Sequence, residues 1–283
     1  MVLESLIGVK QAEKTPSTLF FLGFLYASIA VFLSLWIFRS EASLIMVFLT
    51  VFAALPLVYG ILKYEAYRDI KAKKTESLSI LHLNALKAFM YMFFGFVLAM
   101  AIWYVFLPSE LVYDLFSAQI STIQGINSNV ATGQITSWNF LSLIIVNNLK
   151  VLVFCVLFSF FFGAGAIFIL TWNASVISAA IGTFVRTNFA RYAESVGFIK
   201  VAGYFHIFSL GLLRYMTHGV FEILAYFIGG MAGGLISVAM LNHDFEGENF
   251  KKIIKDAIDL LILAVFVVLI AGLIEVFITP LFF

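Results

Sequence analysis

Residues 18–62 read TLFFLGFLYASIAVFLSLWIFRSEASLIMVFLTVFAALPLVYGIL, two long apolar runs separated only by Arg39, Ser40 and Glu41. A helix needs about 20 apolar residues to cross a bilayer. Each run meets that length, and so short a link makes them an antiparallel hairpin. Thr15-Pro16-Ser17 reads as the start of the first helix, because proline is tolerated in a first turn. Pro56 is expected to kink the second.

Working outward, the same pattern fills the chain. Further apolar runs cover 85–106, 140–170, 174–185, 198–213, 220–241 and 258–283. The runs at 174–185 and 198–213 are short, and Gly203, His206 and Gly211 interrupt the second. Counted as one crossing plus one interrupted or re-entrant piece, they bring the total to about seven passes. The expected fold is therefore all-α, a polytopic transmembrane helical bundle with a broken segment before the sixth full pass. The 283 residues are 63% hydrophobic and 12% charged, with a mean hydropathy of +1.05. A soluble domain carries roughly 25% charged residues, so this chain cannot cover a water-facing surface. A formal net charge of +1 gives no pull toward nucleic acid. The partner implied first is the lipid bilayer itself.

No internal repeat divides the chain, so it reads as one transmembrane domain, 1–283. An N-terminal hairpin and basic loop occupy 1–84, and a core with one long loop at 107–139 follows from 85 to 283. Met1 to Lys14 is too polar for a signal-peptide core. Lys63, Arg68, Lys71, Lys73 and Lys74 follow the second pass, and Lys10 and Lys14 precede the first. Between Leu107 and Asn139 there is neither lysine nor arginine. By the positive-inside rule the N-terminus and basic loop are expected in the cytoplasm of a cell-membrane protein. The 107–139 loop and the C-terminus are then external, and Lys251, Lys252 and Lys255 internal. Arg186, Arg191 and Lys200 run against that assignment.

The long loop carries Leu111, Val112, Leu115, Phe116, Ile120 and Ile123 near helical spacing after Ser109. It then reads as breaking at Gly125-Ile126-Asn127-Ser128-Asn129 and at Thr132-Gly133-Gln134. Such a helix would lie on the outer leaflet, or would dock an extracytoplasmic partner. The single cysteine, Cys155, lies in an apolar run and forms no intrachain disulfide.

Polar residues inside apolar passes mark function or helix pairing. Asn147, Asn148 and Lys150 open the fourth pass, and Asn173 lies near its end. Lys150 near an interface would snorkel. His218 and Glu222 are four apart and share a helix face, and Glu275 lies deep in the last pass. These groups read as a structural hydrogen-bonded cluster, as a metal or catalytic site, or as a proton or ion pathway. HExxH, GxSxG and CxxC are all absent, so no catalytic residue, metal or cofactor is expected. A metal site would need His206 as its third ligand. Gly229, Gly230, Gly233 and Gly234 form two overlapping GxxxG patterns, the signature of close helix packing or of a homodimer seam. Gly163 and Gly165 repeat it more weakly.

The order of these features resembles the stage II sporulation protein M family. Asn147-Asn148 opens a glycine-containing pass, Asn173 follows, and then come His218-Gly219-Val220-Phe221-Glu222 and Gly229 to Gly234. The ending, Ile274-Glu275-Val276-Phe277-Ile278-Thr279-Pro280, resembles that family too. The resemblance covers about 85–283 and implies a multipass membrane protein without catalysis of its own. The namesake acts with cell-wall hydrolases during engulfment, but the family extends to archaea that lack peptidoglycan, so that role does not carry over. The leading expectation is a non-enzymatic membrane scaffold that recruits partners, and a homodimer. The alternative is a transporter, channel or exporter permease using the intramembrane His and Glu groups.

Overall fold

A computed structural model describes residues 15–71, 82–130, 137–189, 197–241 and 248–282. Lys10, Lys14, Lys73, Lys74, Arg191 and the Thr132-Gly133-Gln134 stretch lie outside them. The elements are α1 (Pro16–Ile37), a single turn at Arg39–Glu41, α2 (Ala42–Lys71), α3 (Leu83–Phe106) and α4 (Ser109–Val130). They continue with α5 (Ser137–Phe162), α6 (Ala166–Phe189), α7 (Gly197–Leu241) and α8 (Glu248–Leu273). A π-turn at Ile274–Ile278 then leads into the last helical turn, Thr279–Phe282. No strand occurs among the described residues. All these helices except α4 and the last turn supply windows long and apolar enough to cross a membrane, seven among the described residues. The chain is an all-α polytopic bundle.

The seven crossings are divided differently from the sequence reading. The 140–170 run is two helices, reversing at Gly163, whose φ of +69° lies in the left-handed region that favours glycine. Ala164 N–H donates to Phe162 O at 2.8 Å across that reversal. The residues flanking Gly163 are apolar, so hydropathy sees no boundary. The short 174–185 run is the middle of α6, a full crossing. Its low hydropathy comes from polar groups bonded within the bundle, such as Ser178 Oγ donating to Val97 O at 3.0 Å and Thr183 Oγ1 meeting Tyr104 Oη at 2.8 Å.

The broken segment at 198–213 is not broken. α7 runs unbroken from Gly197 to Leu241, through Gly203, His206 and Gly211. A lone glycine in a helix costs only about 1 kcal/mol, which packing easily offsets. Gly211 sits against Phe184 and Val185 of α6, so it marks a close approach and not a hinge. Pro56 likewise lies within one helix, α2.

The helix that does enter the bundle is α4. Its helix continues past Gly125 to Val130, and it does not lie flat on a surface. Leu115, Phe116 and Gln119 are fully buried. Ser109 Oγ accepts from Arg186 Nη1 at 3.3 Å, whereas Gln119 Nε2 donates to Ser175 Oγ at 3.1 Å and to Ser43 O at 3.2 Å. α4 therefore runs antiparallel to α6, wedged against α2 and α6, its apolar face used within the chain.

Candidate functional site

Three helices bring the polar groups together. α5 and α7 run parallel, so that Leu152 meets Gly229 and Val156 meets Gly233, and α8 returns antiparallel to α7. On α7, His218 and Glu222 lie one turn apart on one face. Just beyond α8, Glu275 in the π-turn and Thr279 in the last helical turn prolong the line of Leu260, Ala264, Val268 and Ala271, which are buried along α8. Asn148 Nδ2 donates to Glu222 Oε1 at 2.5 Å, and the Glu222 and Glu275 carboxyls lie close enough to interact. His218 Nδ1 lies 3.3 Å from Thr279 Oγ1, which donates to Ile274 O at 3.2 Å.

The π-turn beneath this site has a local cause. Pro280 has no N–H, and its ring crowds the carbonyl four residues back. The backbone widens, and Thr279 N–H bonds to Ile274 O, five residues back. Such turns recur at functional sites.

The structure brings together Asn148, His218, Glu222 and Glu275, but not the other two asparagines. Asn173 Nδ2 donates to Ile169 O of its own helix at 2.8 Å. Asn147, one residue before Asn148, faces away from the bundle and is exposed. His206 is exposed and three turns from His218. Among the described residues no group of three His, Cys, Asp or Glu side chains could hold a metal ion. Lys150 is twelve residues from either end of the Trp138–Phe162 crossing, and exposed. A lysine at mid-membrane costs about 3 kcal/mol on insertion scales.

The glycine seam is filled from within the chain. A Cβ on Gly233 would overlap the Val156 carbonyl oxygen, and one on Gly230 would meet Ala166 Cβ. Gly229 lies against Leu152, and Gly234 against the Gly163 carbonyl and Leu62. The four glycines let α5, the Gly163 reversal and α2 approach α7, and they are not open to a second copy. Gly233→Ala is expected to cost about 1–3 kcal/mol through overpacking. It should lower the detergent melting temperature and leave the oligomeric state alone; a changed oligomer at parental stability would return the seam to an interface between chains.

Sequence reasoning missed three polar contacts. Glu65 and His82, both fully buried, meet at 2.5 Å, and Arg68 Nη1 donates to Glu65 Oε1 at 2.6 Å. They flank one inter-helix segment at the same level, a signal hidden by reading the stretch as a basic loop. Arg39 pairs with Glu110 at 2.6 Å and Asp114 at 2.7 Å, fixing α4 to the α1–α2 turn. Arg186, anomalous by charge counting, donates to Leu107 O and lies 5.6 Å from the Tyr104 ring centroid. It satisfies the end of α3, where helix carbonyls lack partners.

No curated protein and no solved structure matches the chain. The family model described as Stage II sporulation protein M matches residues 88–280, a stretch that contains every member of the α5–α7–α8 cluster and all four seam glycines. The chain belongs to the stage II sporulation protein M family.

Proposed function

We propose that this protein is a non-enzymatic membrane scaffold that holds partner proteins at the bilayer. The observation that carries the reading is the closure of the intramembrane cluster. Asn148 is bonded to Glu222, Glu275 lies against the same carboxyl, and His218 meets Thr279. Such a network fixes the register of three helices, which is what a rigid platform requires. Family membership supports a membrane protein and leaves the role open. In the same reading the protein sits in the cell membrane with the Arg68 end of the bundle cytoplasmic, since Lys63 and Arg68 lie there. The end carrying Leu107, Arg186 and the C-terminus is then external. An extracytoplasmic partner meeting the 107–139 segment would find Tyr113, which is 68% exposed.

A second reading, proton or cation transport, is favoured by one observation: two carboxyls, Glu222 and Glu275, lie against each other within crossings, and acids so placed often belong to proton pathways. Reconstitution into liposomes separates the two. The scaffold reading expects proton and sodium flux no greater than in protein-free vesicles, for the parent and for Glu222→Gln alike. Flux in the parent that Glu222→Gln or Glu275→Gln abolishes would replace the scaffold with a transporter.

A further inference from the structure

α5 has two faces. One, with Leu141, Asn148, Leu152, Cys155 and Ser159, is buried against the bundle. The other carries Leu143, Asn147, Lys150, Phe154, Leu157 and Phe161, all exposed. Their spacings alternate four, three, four, three, four, which is the seam of a heptad repeat. Leucine and phenylalanine may face lipid without any partner, so the apolar members alone imply nothing. The polar pair at the middle of the seam does. Lys150 lies about 18 Å along the helix from either end of its crossing, while half the hydrocarbon core is about 15 Å. A lipid phosphate at the interface is therefore out of reach. Neither Lys150 nor Asn147 has a hydrogen-bond or ion-pair partner within the chain, among the described residues.

We propose that this face of α5 is the docking seam for a transmembrane helix of another protein that carries a carboxylate at mid-membrane. The proposal rests on the scaffold reading and names its partner class. Lys150 supplies a charge-assisted hydrogen bond to the carboxylate. Asn147 fixes the register, as a lone polar residue in a heptad seam does. A second copy of this chain fits poorly. A two-fold axis along the membrane normal pairs α5 with itself at equal depth and sets two Lys150 ammonium groups against each other.

The test uses the full chain in phosphatidylcholine vesicles with a photoreactive benzophenone amino acid in place of Phe154, or in place of Ile262 on the exposed face of α8 as a control. The probes are synthetic leucine-rich transmembrane helices bearing one central Glu or one central Gln. The Phe154 position is expected to capture the Glu helix about tenfold more than the Gln helix, the factor one charge-assisted bond is worth. Lys150→Met should reduce capture to the Gln level and Lys150→Arg should preserve it, while the Ile262 position should not discriminate. Equal capture of both helices, capture indifferent to Lys150→Met, or crosslinking between two copies of the chain in place of the Glu helix would each overturn the proposal. Because Lys150 is exposed, its replacement leaves the bundle intact. Absence of Glu-selective capture in a protein that also shows no ion flux would defeat the seam alone; flux would defeat the scaffold reading.

Discussion

Glu65→Ala is expected to destabilise the bundle by about 3–5 kcal/mol, the cost of removing one partner from a buried ionic or hydrogen-bonded pair. Glu65 and His82 are fully buried at the facing ends of α2 and α3. The carboxylate uses both oxygens, Oε2 with His82 Nδ1 at 2.5 Å and Oε1 with Arg68 Nη1 at 2.6 Å. Among the described residues His82 Nε2 has no partner, so without Glu65 neither nitrogen of the imidazole is satisfied there. Arg68, partly exposed, can turn toward water and loses less. The asymmetry makes the variants diagnostic. Glu65→Gln keeps a hydrogen-bonding group and should lose roughly half as much. Glu65→Leu combined with His82→Phe removes both polar groups and should recover most of the loss, since apolar replacements of buried pairs are often neutral. Thermal melting in detergent, followed by intrinsic tryptophan fluorescence, reads all three. A Glu65→Ala protein melting with the parent would mean that the pair is solvated and open.

That pair also shows where a sequence stops being readable. The hairpin at 18–62 and the pass at 85–106 were legible because polar residues bound them on both sides. The reversal at Gly163 was not, because a left-handed glycine among apolar residues leaves no trace in hydropathy. The site divides in the same way. The i, i+4 spacing of His218 and Glu222 placed them on one face whatever the packing. Choosing between Asn147 and Asn148 required the rotation of α5, and about 100° of helix separates the asparagine that meets Glu222 from the one that faces outward. Asn173 looked equivalent to both, yet it satisfies its own helix. Glycine spacing announced a close approach at 229–234 but not its occupant, which is α5 of the same chain. Charge counting misread Arg186, whose guanidinium answers the carbonyls at the end of α3.

Gly95→Leu should be at least as damaging as Glu65→Ala, although neither Gly95 nor Gly23 stands in a GxxxG pattern. α1 and α3 run parallel with their backbones in contact. A Cβ on Gly23 would overlap the Met92 carbonyl oxygen, and one on Gly95 the Phe20 carbonyl oxygen. The obstacle is backbone on both sides, so no flexible side chain can move aside. Two glycines at reciprocal positions replace the hydrophobic drive that lipid does not supply. Further along, Trp103 Nε1 donates to Ser28 Oγ at 3.0 Å and stacks edge-on with Phe32 at 4.6 Å, contacts that depend on the same approach. Leucine at 95 must push the helices apart along this whole seam, so its cost exceeds the about 1–3 kcal/mol usual for overpacking, while Gly95→Ala should fall within that range. Gly219→Ala is the control, because its Cβ meets nothing nearer than Met216 Cε at 3.8 Å, and it should gain up to about 1 kcal/mol of helix propensity. Gly95→Leu and Gly219→Ala melting alike would show that α1 and α3 do not touch. The contact has a bearing on the family as well. Gly95 lies inside the matched stretch, 88–280, and α1 outside it. The matched core therefore presents a groove cut to backbone depth, and a helix beyond the match fills it.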